Sequence, residues 1–143
     1  MSKEDCFHLG VKALIHNEEG KILLLEKHPK NKAGRCWDIP GGRIGKSEPL
    51  EAALRREVYE ETGLQHLTEV QFFTMVLTDM RIVVPHGDVG LVLAVYLCRV
   101  TEDINIILSD EHIHFDWFDP KSVCNLVSPY FPQALIEKIL NGR

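Results

Sequence analysis

The chain has 143 residues, of which 45% are hydrophobic and 26% charged, as is ordinary for a soluble globular protein. This length suits one domain covering residues 1–143, and no apolar run approaches the roughly 20 residues that span a bilayer, which argues against membrane insertion. The net charge of -5 comes without a basic stripe, which argues against binding a nucleic acid polymer through its phosphates.

The start of the chain, MSKEDCFHLG, lacks the apolar segment of a secretory signal. The four cysteines, Cys6, Cys36, Cys98 and Cys124, are widely separated and form no C-x-x-C pair, which favours reduced thiols. We therefore expect a cytoplasmic protein.

The first elements read as a β-hairpin. Residues 7–15 alternate loosely, residues 21–25 are aliphatic, and residues 16–20 supply turn chemistry between them. The loop from 28 to 36 then leads to Trp37 and the segment Pro40-Gly41-Gly42. An excess of cations surrounds this loop: Lys27, Lys30, Lys32 and Arg35. Solvation explains most of them, and we expect phosphate steering from one or two, with Lys27 and Arg35 as the candidates.

Residues 50–62 are predicted to form one helix. Pro49 suits its first turn, no glycine or proline interrupts it, and Gly63 is the residue expected just past its end. At 100° per residue, Leu54, Glu57 and Glu61 follow one another on the stripe that normally enters the core. A run of charges is usually a solvated helix face, but the phase of Glu57 and Glu61 argues against that here.

Glu60 lies to one side of this stripe, so three acids crowd together and need a positive charge to compensate them. Oxygen ligands without cysteine or histidine favour Mg²⁺ or Mn²⁺, which binds through a few carboxylates plus substrate phosphates. The expected partner is therefore a small phosphorylated substrate. Arg56 is expected to offset part of the negative charge and to hold a glutamate by a bidentate contact.

The second half of the chain is predicted to form strands and two helical segments. Strands are expected over residues 69–77, 80–84, 91–100 and 112–118, with a turn at 85–88. A short helical turn near 121–124 and a helix over 132–140 follow. A mixed β-sheet between the 50–62 helix and the C-terminal helix, an α/β/α sandwich, accommodates all these elements.

The stretch from Gly42 to Leu64 resembles the Nudix box, G-x5-E-x7-R-E-U-x-E-E-x-G-U with U aliphatic, without a mismatch. Its nine specified positions are filled by Gly42, Glu48, Arg56, Glu57, Val58, Glu60, Glu61, Gly63 and Leu64. The resemblance implies a Nudix-type fold and a metal-dependent hydrolase of a diphosphate linkage in a nucleoside diphosphate derivative. The upstream segment 37–42 and the order of elements also resemble this family.

Carried over by position, the resemblance implies metal binding by Glu57, Glu60, Glu61 and the carbonyl of Gly41 or Gly42. Glu48 would support the loop. Members differ in their general base; Glu57 is the first choice here. Glu111, in SDEHIHFDWF, is the second choice as base or extra metal ligand, with an ordinary loop acid as the equal alternative and Asp110 as its competitor.

The substrate stays open among the family's nucleotides. Compact size favours a (d)NTP pyrophosphatase of MutT type, with an ADP-ribose or nucleotide-sugar diphosphatase as alternative and a non-catalytic nucleotide-sensing module as the rival class. Glu26-Lys27 replaces the usual double arginine, and Pro132 and Gln133 stand where an oxidised-guanine-specific member carries an asparagine.

Other constellations carry less weight. Trp37 is the aromatic residue expected to stack on a base, although core packing is the default for aromatic side chains. His112 and His114, two residues apart on a predicted strand, are more often ordinary strand residues than zinc ligands. The sequence is compatible with a monomer or a homodimer.

Overall fold

The computed structural model describes residues 3–29, 35–101 and 105–142, so Lys30 and Lys32 of the cationic loop lie outside the described residues. The strands are β1 (Phe7–His16), β2 (Ile22–Lys27), β3 (Cys36–Asp38), β4 (Gly41–Arg43), β5 (Thr68–Val84), β6 (Gly87–Arg99) and β7 (His112–Phe118). The helices are α1 (Leu50–Thr62), α2 (Pro120–Val127) and α3 (Gln133–Asn141).

The predicted hairpin of β1 and β2 is confirmed at its turn. The Asn17 side chain accepts hydrogen bonds from the backbone N–H groups of Glu19 and Lys21 at 3.0 and 2.9 Å. The two strands pair at His16 and Ile22 and then separate, β1 pairing with β4 and β6, and β2 with β3 and β7. Beyond their shared turn, β1 and β2 therefore have different neighbours in the sheet.

The sheet is mixed, as predicted. Its strand order is β3-β2-β1-β6-β5, with β4 also paired to β1 and β7 to β2. β1 runs parallel to β6 over the whole length of β1, from Phe7 opposite Gly90 to His16 opposite Arg99, whereas the other pairs are antiparallel.

Two hydrophobic layers cover the two faces of the sheet. Val11, Ala13 and Leu23 pack under α1, in a layer that also holds Leu54 and Val58. Alternate residues of the same strands, Leu14, Ile22 and Leu24, lie in the other layer, which also holds Val123 of α2 and Leu135 and Ile139 of α3. Because successive strand residues point to opposite faces, the aliphatic run of β2 serves both layers. The α/β/α sandwich is confirmed.

Helix α1 has the predicted bounds, and Gly63 ends it in the left-handed region at φ 77°. Three other elements differ from the sequence prediction. Residues 41–43, expected in a loop, form β4. Residues 68–84, expected as two strands, form one long strand, whose pairing with β6 shifts register between Leu77 and Arg81 and at two places nearer its start. The turn near 121–124 is a full helix, capped by the Asp119 side chain, which accepts a hydrogen bond from Ser122 N–H.

Within the described ranges, none of the helices has the length and apolar character to cross a membrane. All four cysteines are free thiols, as predicted.

Candidate active site

Helix α1 presents Glu57 and Glu61 to a cavity of about 660 Å³. Strand β4 lies against the same helix and contributes Gly41 and Gly42 to the cavity wall, and Glu111 lines it from the start of β7. The Glu61 residue is 5% exposed and the Glu57 side chain 16%. The prediction that these two acids continue the buried stripe of the helix is confirmed.

The carboxylate of Glu61 is held by the backbone of β4. Its Oε1 accepts a hydrogen bond from Gly41 N–H at 2.9 Å. Burial raises the pKa of Glu61 to about 7, although this hydrogen bond and the nearby Lys12 and His112 act in the opposite direction. A second observation explains the glycine: Gly41 has φ +146°, and a Cβ there would stand 1.9 Å from the carbonyl oxygen of Val11.

Gly42 leaves room for the carboxylate of Glu57. A Cβ built on Gly42 would lie 2.4 Å from Glu57 Oε1 and 2.7 Å from Oε2. The backbone of β4 therefore approaches both inward-facing carboxylates of α1 closely, and glycine is needed at both positions for different reasons. This is what the Pro40-Gly41-Gly42 sequence provides.

Arg56 connects the acids of the box. Its Nε and Nη2 donate to the two carboxylate oxygens of Glu48 at 2.7 and 2.9 Å, and Nη1 donates to Glu57 Oε2 at 3.0 Å and to Glu60 Oε1 at 3.2 Å. Glu48 also accepts from Gly45 N–H at 2.7 Å. The Arg56 contact and this backbone hydrogen bond lower the pKa of Glu48 to about 2. The bidentate contact expected of Arg56 is therefore made to Glu48, which ties the loop before α1 to the helix.

Glu60 lies apart from the other two acids of the helix. Its side chain is 54% exposed, it contacts Arg56, and it does not line the cavity of Glu57 and Glu61. Among the described residues, no three histidine, cysteine, aspartate or glutamate side chains converge as a metal-binding group. The three acids thus share one end of a helix without pointing to one centre.

The residues of the cavity fit a hard divalent cation. Glu61 is buried, and among the described residues its carboxylate contacts a single hydrogen-bond donor, so oxygen lone pairs remain for a further positive partner. Glu57 stands beside it against a backbone cleared of side chains. Mg²⁺ requires few protein carboxylates because it retains waters and binds substrate phosphates, so two acids that line one cavity are sufficient donors.

The predicted substrate-binding residues occupy different environments. Arg35 donates two hydrogen bonds, both 2.9 Å, to the carboxylate of Glu26 and stacks over Trp37 at 5.0 Å. The Trp37 ring is 5% exposed and packs edge-on against Phe118. Lys27, half exposed, lines the cavity and lies 3.8 Å from Asp38. Of the three, Lys27 is the one that the structure brings to the acids.

Three residues that sequence reasoning did not select complete the cavity: Lys12, Asp38 and His112. Lys12 Nζ donates to Asp38 Oδ1 at 3.1 Å and to the Ile39 carbonyl at 2.9 Å. Burial would raise the pKa of Asp38, but Lys12, His112 and Lys27 hold it well below its usual range. The His112 side chain is 2% exposed, lies 3.7 Å from Asp38, and makes no hydrogen bond to the described residues.

The only sequence feature that could have pointed to Lys12 and Asp38 as site residues is a charged residue within a strand. This feature is not specific to functional sites. Each lies in an apolar strand where a hydrophobic residue is the expectation. They meet because β1 and β3 both flank β2, a relationship that spacing along the chain does not reveal.

A second, more apolar cavity of about 510 Å³ adjoins the first. The two share Lys12, Lys27, Asp38, Met80, Leu91 and Leu93. The second is otherwise enclosed by Trp37 and by the segment between α2 and α3, including Tyr130 and Phe131. A polar chamber lined by acids thus opens beside a chamber with aromatic walls.

Comparisons with known proteins agree with this architecture. The sequence model of the NUDIX domain matches residues 7–135. The chain is 43% identical over 54 residues to a putative 8-oxo-dGTP diphosphatase of Bacillus subtilis, covering 38% of this chain and 34% of that protein. It is 34% identical over 71 residues to an RNA pyrophosphohydrolase of Bartonella bacilliformis, covering 46% and 41%. The matches thus span less than half the length of these relatives.

A solved structure extends the likeness over the whole fold. The MutT protein from Methanosarcina mazei Go1 superimposes with a TM-score of 0.68 at 24% sequence identity, covering 98% of this chain and 95% of that one. At this identity the likeness concerns the fold alone.

Proposed function

This chain belongs to the NUDIX domain family, and on that premise we propose that it hydrolyses the diphosphate linkage of a nucleoside diphosphate derivative. The first choice of substrate is a nucleoside or deoxynucleoside triphosphate, as in enzymes of MutT type. The observation that carries the proposal is the placement of Glu57 and Glu61 in one cavity with Lys12 and Lys27. Anionic and cationic groups facing each other suit a diphosphate bound through a metal ion.

Mg²⁺ or Mn²⁺ is the proposed cofactor, held by Glu57 and Glu61, with the Gly41 backbone and Glu111 as further ligands. Glu60, which the resemblance also implies as a ligand, lies outside this cavity and is not assigned to the ion. When bound, such an ion neutralises charge on phosphate oxygens and lowers the pKa of a coordinated water. Glu111 supports this assignment because it lines the same cavity as Glu57 and Glu61.

Glu57 is the proposed general base. Its carboxylate faces the cavity at the Gly42 backbone, and Arg56 fixes one oxygen at 3.0 Å, leaving the other to accept a proton from water. Glu111, exposed at the cavity wall, is the second candidate for the same role. Arg56 supports catalysis by holding Glu57 in place.

The adjoining apolar cavity is the proposed site for the nucleoside. Its volume of about 510 Å³ is within the range of small-molecule sites, and Tyr130 and Phe131 offer aromatic surface. Lys12 and Lys27, shared by both cavities, would then lie along the phosphates. Trp37 supports this wall from the core, held between Phe118 and Arg35.

A substrate panel tests the proposal. Nucleoside triphosphates, ADP-ribose, a nucleotide sugar and a 5′-triphosphorylated RNA oligonucleotide are incubated with the protein, with and without Mg²⁺ or Mn²⁺, and nucleoside monophosphate and phosphate products are measured. Metal-dependent release from a triphosphate is expected. Release from ADP-ribose or the sugar alone favours the alternative substrate class. Binding by calorimetry without hydrolysis over hours would instead indicate a nucleotide-sensing module.

A further inference from the structure

A cationic rim borders the active-site cavity on the side away from the apolar chamber. Arg43, the last residue of β4, lines both the acidic cavity and a shallow surface depression of about 450 Å³. Lys46 and His8 line the same depression. Arg43 and Lys46 are exposed, and the rim carries no carboxylate of its own.

The guanidinium of Arg43 is not occupied by an acid. Among residues 3–29, 35–101 and 105–142 it forms no ion pair, and its one side-chain hydrogen bond joins Nη1 to His8 Nδ1 at 3.3 Å. Arg81, which lines the same cavity, differs because Asp5 and Asp88 bind it at 2.7 and 2.6 Å. Arg35 and Arg56 are likewise bound to glutamates. Of these four arginines around the site, Arg43 alone has its donors available for an anionic ligand.

The acidic cavity lies between the apolar chamber and the surface depression, which gives the order in which a bound substrate meets them. The acidic cavity shares Lys12, Lys27 and Asp38 with the apolar chamber and shares Arg43 with the depression, whereas chamber and depression have no residue in common. A substrate with its nucleoside in the chamber and its cleaved linkage at Glu57 and Glu61 therefore extends toward Arg43. The part of the substrate beyond that linkage is what the rim meets.

We propose that Arg43 and Lys46 bind the third and any later phosphate of the substrate, and so select substrates with three or more phosphates over those in which a neutral sugar follows the second phosphate. This inference rests on the proposed function and narrows its substrate class. An arginine binds phosphate oxygens through two parallel N–H donors, and Lys46 adds a point charge. A neutral sugar in the same place gains neither contact.

Steady-state kinetics with ATP and ADP-ribose, which share the nucleoside, test the inference. Arg43→Gln is expected to raise KM for ATP on the order of tenfold, as for the loss of a charge-assisted contact, and to leave KM for ADP-ribose unchanged. Arg43→Lys should restore part of the loss. Arg99→Gln, an exposed arginine on β6 that borders neither cavity, is the matched control. Equal losses on both substrates, or none on ATP, would overturn the inference.

Binding of inorganic tripolyphosphate separates this inference from the proposed function. Calorimetry in Mg²⁺ buffer is expected to show weaker binding to Arg43→Gln and to Lys46→Gln than to the unaltered protein and Arg99→Gln. Absence of hydrolysis of every nucleotide would refute the proposed function, while this binding difference would still support the rim. Indistinguishable tripolyphosphate affinities would refute the rim even in an active hydrolase.

Discussion

Glu61 Oε1 and the backbone N–H of Gly41 form a buried hydrogen bond of 2.9 Å that joins α1 to β4 across 20 residues of sequence. The carboxylate gains this one donor where water would supply several, which is why burial dominates its protonation and its pKa rises to about 7. The same hydrogen bond connects β4 to α1, so the strand that forms the cavity wall and the buried acid are held to each other.

The metal-free protein is expected to lose stability as pH rises through the range in which Glu61 ionises. The pKa of Glu61 is raised from its ordinary value of 4.5 to about 7, so its contribution is complete below pH 4.5 and is lost by about pH 7. The loss amounts to at most about 3 kcal/mol. Thermal unfolding in a chelator at pH 5 and pH 8 measures it. Glu61→Gln should flatten this dependence and bind Mg²⁺ more weakly; an unchanged pH profile would contradict the assignment.

Glu57→Gln is expected to lower kcat roughly 10²–10⁴-fold, because a general base is lost while the shape of the side chain is kept. KM and thermal stability should change little. Hydrolysis of the preferred nucleotide at saturating Mg²⁺ measures the effect, with Glu51→Gln on the exposed side of the same helix as control. Undiminished turnover by Glu57→Gln would contradict its role as general base. Glu111→Gln would then test the second candidate.

Gly42→Ala is expected to impair activity more than folding. The added Cβ meets the carboxylate of Glu57 at 2.4 Å, and that flexible side chain can turn away while the backbone stays in place. Gly45→Ala is the matched control, since its Cβ meets Glu48 Oε1 at 3.3 Å and no residue of the cavity. Comparing Mg²⁺ titrations with melting temperatures distinguishes the two effects. A lower melting temperature with unchanged specific activity and Mg²⁺ affinity would show that the contact is only structural.

Arg56→Gln and Glu48→Gln are expected to be strongly non-additive. Their bidentate contact at 2.7 and 2.9 Å anchors the loop before α1, so either single change removes the same interaction. Because the Arg56 side chain is 37% exposed, solvent screens part of this contact, and the expected coupling in unfolding free energy is favourable but reduced by that screening. A denaturant double-mutant cycle measures it. Additive losses would mean that the two residues act independently.

Asp38→Asn is expected to destabilise the fold by about 3 kcal/mol at pH 7, since it leaves the buried ammonium of Lys12 without a carboxylate. The pKa of Asp38 is held low in the folded state, so its contribution is complete above the ordinary aspartate pKa and is lost progressively as the pH falls from there through the lower pKa of the folded state. The variant should therefore approach the unaltered protein in acid. Urea denaturation at pH 7 and pH 3 checks both statements, with Asp116→Asn on the exposed part of β7 as control.

The different exposures of Glu57, Glu60 and Glu61 show what helical periodicity can and cannot predict. The 100° rule placed Glu57 and Glu61 on the buried stripe and Glu60 beside it, and the exposures follow that order. Periodicity did not show that Glu60 turns toward Arg56, because this depends on where the guanidinium is held by Glu48.

The sequence by itself determined the bounds of α1, the inward phase of two glutamates and the sandwich class, because each depends on local propensity or on regular spacing. Only the tertiary structure decided that Lys12, Asp38 and His112 share a cavity and that Arg43 lines it with no acid partner in the described part of the chain. Such meetings depend on strand order: β1 and β3 flank β2, and β4 returns to β1. Pairing between strands that are distant in sequence produces no periodic pattern in the chain. Contacts between charged residues of separate strands therefore cannot be predicted from residue spacing.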